Sequence, residues 1–172
     1  MALTGSITLN FNAIETPAAG VSEIISAPAV VNKSYQWSWS SGVAINQADK
    51  IFADQRTLTT GATEDLDLAG VLAPLFGATL LTFVKLKAFV LFNLITNTTN
   101  ITVSRPAGST GVPIFAAVSD ALAAIKPGGC FAWWDPSLAG VAVTAGTGDL
   151  ITITNSAGAS CVYDVIIVGT SS

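Results

Sequence analysis

A run of sixteen residues in mid-chain, Thr79 to Leu94, leaves few choices of fold. At a period of two, its even positions Val84, Leu86, Ala88, Val90, Phe92 and Leu94 form an unbroken apolar face. The odd positions add Leu81, Phe83, Phe89 and Leu91, interrupted by Lys85, Lys87 and Asn93. A strand apolar on one face and mostly apolar on the other belongs at the centre of a sheet or in an interface. Burying a Leu or Phe side chain is worth ~1.5–3 kcal/mol. The odd-face residues together represent roughly 6–12 kcal/mol, against ~5–15 kcal/mol for the stability of a whole domain. They require a cover: a second sheet, a loop or another chain. The expected contact surface is therefore centred on Phe83, Phe89 and Leu91. Lys85 and Lys87 are either its rim, with their stems over apolar surface, or simply solvated lysines.

Composition supports a protein that lives in contact with others. The 172 residues predict one domain, 1–172, long enough to bury a core. Residues 51% apolar and 10% charged stand against a typical ~25% charged. The surface must then be built from Ser, Thr, Asn, Gly and Ala with some apolar groups, as in proteins held in an assembly. A net charge of −4, with seven scattered Lys and Arg, argues against nucleic acid. Leu68 to Val84 carries no charge, but it contains Gly70, Pro74 and Gly77 and is too short for a membrane span. Met1-Ala2-Leu3-Thr4-Gly5 has neither a basic n-region nor an apolar h-region, so no signal peptide is expected. Cys130 and Cys161 are too few for a disulfide framework or a zinc site and read as buried thiols.

Alternation and turn residues predict an all-β protein, an antiparallel β-sandwich, jelly-roll-like, of about ten short strands. Ser6 to Asn12 alternates with Ile7, Leu9 and Phe11 on one face, and Tyr35 to Ser40 puts Tyr35, Trp37 and Trp39 on another. Between them, residues 13–32 read as an extended arm or loop, with a short edge strand at Glu23-Ile24-Ile25. Strands are also expected at Lys50–Thr59, Glu64–Leu68, Ile101–Ser104, Ile114–Val118, Cys130–Trp134, Val141–Thr144, Leu150–Thr154 and Val162–Val168. Asp120–Ile125 is open to a helix on propensity, although its neighbours are strands.

No residue set suggests catalysis, a cofactor or a metal. With no His in the chain, Ser-His-Asp and Cys-His machinery and His-ligated metals are excluded. Glu64, Asp65 and Asp67 can be a cation or carboxylate-pair site. The simpler reading is the solvated face of a strand whose Leu66 and Leu68 point inward. Trp37 and Trp39, on one face, read as core. Trp133 and Trp134 must lie on opposite faces, one in the core and the other against a loop, a partner or a sugar ring. The Asn97-Thr98-Thr99 and Asn100-Ile101-Thr102 sequons fit a hairpin turn.

Two passages resemble a family of small virion structural proteins of tailed bacteriophages. One is Asp65-Leu66-Asp67-Leu68-Ala69-Gly70, then Phe76-Gly77-Ala78-Thr79 and the strand through Lys87-Ala88. The other is Pro127-Gly128-Gly129, Val141 to Thr147 and Leu150 to Asn155, closing with Val162 to Gly169. The resemblance covers roughly the last two thirds of the chain and implies a capsid decoration (cement) protein. It would be a non-enzymatic homo-oligomer bound to the major capsid protein on the capsid exterior, made in the host cytoplasm. Tail or fibre proteins, and a carbohydrate-binding adhesion module, are the other readings that such a surface permits.

Overall fold

The computed structural model describes residues 2–15, 29–70, 72–73, 80–108 and 110–172. Within them the chain is all-β, with eleven strands and no helix. In order these are β1 (Gly5–Glu15), β2 (Ala29–Ser41), β3 (Gln47–Ala48), β4 (Lys50–Leu58), β5 (Thr63–Asp67) and β6 (Lys85–Asn93). There follow β7 (Ile101–Ser104), β8 (Cys130–Trp134), β9 (Val141–Ala142), β10 (Leu150–Asn155) and β11 (Cys161–Thr170). The expected strand at Glu23–Ile25 lies outside the described residues.

Three sheets form. The largest runs β4-β11-β6-β8, with β9 also on β6; a second runs β5-β10-β7; a third runs β1-β2-β3. The first two pack as a sandwich. Phe52, Phe89, Leu91, Tyr163, Val165 and Ile167 of the large sheet share one buried cluster with Leu66, Ile101, Val103, Ile151 and Ile153 of the second. The third sheet makes a further layer. Trp37, Trp39 and Ala48 bury themselves against Ala88 and Val168 on the outer side of the large sheet.

The mid-chain run is the centre of the large sheet, as its two apolar faces require, but the strand proper is Lys85–Asn93, and Leu80–Val84 before it is not strand. Its parity is interrupted. Ala88 lies opposite Val168, whereas Leu86 lies opposite Gly169, so Lys87 is the extra residue of a β-bulge. One inserted residue sends the side chains before it to the other face. Leu86 thus joins Phe89 and Leu91 in the main core while Ala88 faces the third sheet.

Other departures have equally local causes. Ile114–Val118 is a series of turns and bends, not a strand. Asp120–Ile125 is neither helix nor regular strand: Ile125 exchanges backbone hydrogen bonds with Ile101, and Leu122 N donates to Val103 O at 2.9 Å. The exposed edge of β7 has amides and carbonyls to satisfy, and that demand outweighs a weak helical propensity. Of Val141–Thr144, only Val141–Ala142 pairs as a strand.

The connections are tied by buried amides. Asn155 Nδ2 donates to Thr59 O at 2.9 Å and Ala159 O at 2.8 Å, with Leu58 O at 3.3 Å. Asn155→Ala should therefore cost about 1–2 kcal/mol, because Leu58 O and the half-buried Ala159 O lose this donor, while Thr59 O keeps the Ala62 amide. Urea denaturation would check it. A loss under about 0.5 kcal/mol would mean that water replaces the amide without cost.

Candidate docking surface on a projecting hairpin

The residues expected to form a contact surface do not do so together. Phe83, Phe89 and Leu91 are fully buried in the main core, under the second sheet of the same chain, so they need no partner. This corrects their placement at an interface: the chain supplies its own cover. Lys87 is buried as well, its ammonium donating to Ser137 O beneath the loop from Asp135 to Gly140. Burial lowers the Lys87 pKa from the ordinary lysine value, and nearby Asp135 opposes that shift. Lys85 is half-buried. Trp133 packs against the main core and Trp134 against the outer cluster, both half-buried on opposite faces of β8.

The acidic group near Glu64 is also structural. Glu64 takes Arg56 Nε at 2.9 Å and the Tyr163 hydroxyl, while Leu66 and Leu68 point into the core. Asp65 accepts from the Thr152 hydroxyl, and Asp67 Oδ1 accepts from Ala69 N at 2.9 Å. Among the described residues no group of three or more Cys, Asp or Glu is placed to hold a metal ion. Cys161 is buried, which raises its thiol pKa, and Cys130 is exposed.

Among the described residues, exposed large apolar side chains also occur singly elsewhere, as at Ile45, Ile95 and Leu138, but they gather on the hairpin of β1 and β2. Its two strands pair over their full described length, from Gly5 opposite Trp39 to Glu15 opposite Ala29. Opposed residues on an antiparallel pair share a face. One face carries Ser6–Ser38, Thr8–Gln36, Asn10–Ser34 and Asn12–Asn32. The other carries Ile7–Trp37, Leu9–Tyr35, Phe11–Lys33 and Ala13–Val31.

The apolar face begins inside the protein and leaves it. At the base, Trp37 and Trp39 are 4% and 8% exposed, their ring centroids 4.8 Å apart. Gly5 is required there, since a Cβ would stand 2.9 Å from Trp39 Cε2. Trp37 Nε1 donates to Asn46 Oδ1 at 3.2 Å. One register step further, exposure jumps to 54% at Leu9 and 58% at Tyr35, then 57% at Phe11. Near the far end Ile14 and Val30 are exposed on the other face. At ~3.3 Å per residue the exposed part of the hairpin reaches roughly 25 Å from the body.

A two-stranded ribbon is marginal in water on its own. Here, among the described residues, only its base is anchored, and large apolar side chains are half in solvent along the rest. Exposed contiguous apolar surface of this kind marks a contact site. The alternation of Ile7, Leu9 and Phe11 is plain in the sequence. That the base is covered and the remainder is not depends on where the large sheet ends, which no local pattern records. Comparison with models of known families, with curated proteins and with solved structures returns no match to this chain.

Proposed function

We propose that this chain is a non-enzymatic structural protein of a virion, of the capsid decoration type, which binds the assembled head from outside. The observation that carries the reading is the apolar face of the projecting hairpin, Leu9, Phe11, Val31 and Tyr35, held out from a body that already buries its own core. The scarcity of charge and the virion-protein likeness of the passages from Asp65 to Ala88 and from Pro127 to Gly169 support the same reading. The hairpin lays this face on a neighbouring major capsid protein subunit. Because it binds the closed shell and not dissociated subunits, mass action shifts the equilibrium toward the shell.

Purified heads lacking this protein provide the test. Added protein should co-sediment with them and appear as density on the capsid exterior in an image reconstruction. A Phe11→Asp, Tyr35→Asp double variant should lose binding by tenfold or more. Each side chain buried at a contact is worth ~1.5–3 kcal/mol, and ~1.4 kcal/mol is a factor of ten. Density at the tail or fibres instead would move the protein there. Its absence from the particle would end the virion reading.

A further inference from the structure

The arm has a second unsatisfied surface, distinct from its apolar face. β1 ends its sheet: the order is β1-β2-β3, and among the described residues nothing pairs with the outer side of β1. An edge of eleven residues is a template for another strand, and proteins normally guard such edges with Pro, Lys, bulges or a covering loop. From Gly5 to Ile14, β1 has no Pro and no charge, and its pairing with β2 runs without a register shift.

We propose that two copies of this chain join through their β1 edges, antiparallel, into one four-stranded arm of order β2-β1-β1-β2. β1 is its own complement about Asn10. A two-fold axis there sets Phe11 opposite Leu9 of the second copy, Asn12 opposite Thr8, Ala13 opposite Ile7, Ile14 opposite Ser6 and Glu15 opposite Gly5. Every residue of the strand finds a partner, because Asn10 is the midpoint of Gly5–Glu15. Odd positions meet odd positions, so the apolar faces of the two arms merge on one side. The single charge of the strand, Glu15, meets a glycine and never its own copy.

The same register places the far end of one arm beside the anchored base of the other. Ala13 and Val31 of one copy lie level with Ile7 and Trp37 of the second, where the indole is already buried against the large sheet. The least supported part of each ribbon is thereby held by the best supported part of the other. An eleven-residue antiparallel pairing supplies about ten interchain hydrogen bonds, the number typical of a whole specific interface. The contact is isologous and closes after two copies. A foreign strand can satisfy the backbone of this edge, but the matched length, alternation and charge belong to β1 itself.

Sedimentation of the free, full-length protein tests this apart from any particle. The expected species is a dimer. Asn10 is exposed on the polar face, so Asn10→Lys and Asn10→Asp should each fold, with unchanged near-ultraviolet dichroism from the buried Trp37 and Trp39. Each variant alone opposes like charges at the two-fold axis, and its dimer dissociation constant should rise at least tenfold. An equimolar mixture of the two should restore association, since Lys then faces Asp. A wild-type chain that stays monomeric at high concentration overturns the proposal. So does undiminished self-association of both variants, or a mixture that fails to recover.

Discussion

Gly169→Ala is expected to be the most damaging single-methyl change in the protein, costing about 3–5 kcal/mol, a large part of a typical domain's stability. Gly169 sits on β11 opposite Leu86, at the step where the bulge at Lys87 shifts the ladder. A Cβ there would drive into the Lys85 carbonyl oxygen and stand 2.6 Å from Phe83 Cδ1. Neither neighbour can yield. Lys85 is held in the middle of the sheet by pairing to Thr170 on one side and Ala142 on the other, and Phe83 is buried in the main core. In thermal unfolding the midpoint should fall by roughly 10 °C for a chain of this size. Gly61→Ala is the control. Its φ of 67° carries the ordinary strain of the left-handed region, but no atom lies within 4 Å of the added methyl, so it should cost only about 1 kcal/mol. Equal losses in the two variants would show that the sheet gives way around the added methyl, because Gly169, unlike Gly61, has no left-handed φ to explain a loss.

The bulge also marks where sequence reading reaches its limit. Alternation places the mid-chain run at the heart of a sheet, because no single solvated face can hold Phe83, Phe89, Leu91, Val90 and Phe92. It assigns Leu86 to the even face, and one extra residue at Lys87 moves it to the other. Nothing in Lys85-Leu86-Lys87-Ala88 announces that insertion. Lys87 itself looks solvated by type and is buried, because its ammonium finds the Ser137 carbonyl in a loop fifty residues away. Such partners are tertiary facts. The strands at Leu150–Asn155 and Cys161–Thr170 are legible because alternation and Gly-rich turns act locally. The contact surface is not, because greasiness shows which side chains need a cover and not which of them the fold already covers. That difference moves the candidate site from Phe83, Phe89 and Leu91 to Leu9, Phe11 and Tyr35.

A second large effect is expected at alkaline pH, from a cluster that clips the two sheets together. Tyr163 on β11 lies opposite Arg56 on β4, and Glu64 reaches in from β5 of the other sheet. The Tyr163 hydroxyl donates to Glu64 Oε1, and Arg56 Nη2 holds Glu64 Oε2 at 2.7 Å, with Asp54 at 3.2 Å from Nη1. Burial first, then the hydrogen bond and charge of Glu64, push the Tyr163 pKa far above its ordinary value of 10.0, with Arg56 only partly opposing. The folded protein therefore keeps the phenol neutral where the unfolded chain ionises it. Stability from this group is complete below pH 10 and is lost above it, by about 1.4 kcal/mol per pH unit. Cys161, raised by burial from 9.0, adds loss in the same direction. Lys87, lowered from 10.5, acts oppositely, since the fold disfavours its charged form and gains as pH approaches 10.5. The phenol dominates beyond that point. Tyr163→Phe should be less stable than wild type by about 1.5–3 kcal/mol near pH 8, where the bond to a charged Glu64 is missing. The deficit should shrink above pH 10 and vanish near pH 12, because phenylalanine has no proton to lose. Unfolding midpoints measured from pH 8 to 12 decide the matter: two parallel curves would mean that Tyr163 ionises as readily in the folded protein as outside it, and that the cluster does not bind the sheets through this proton.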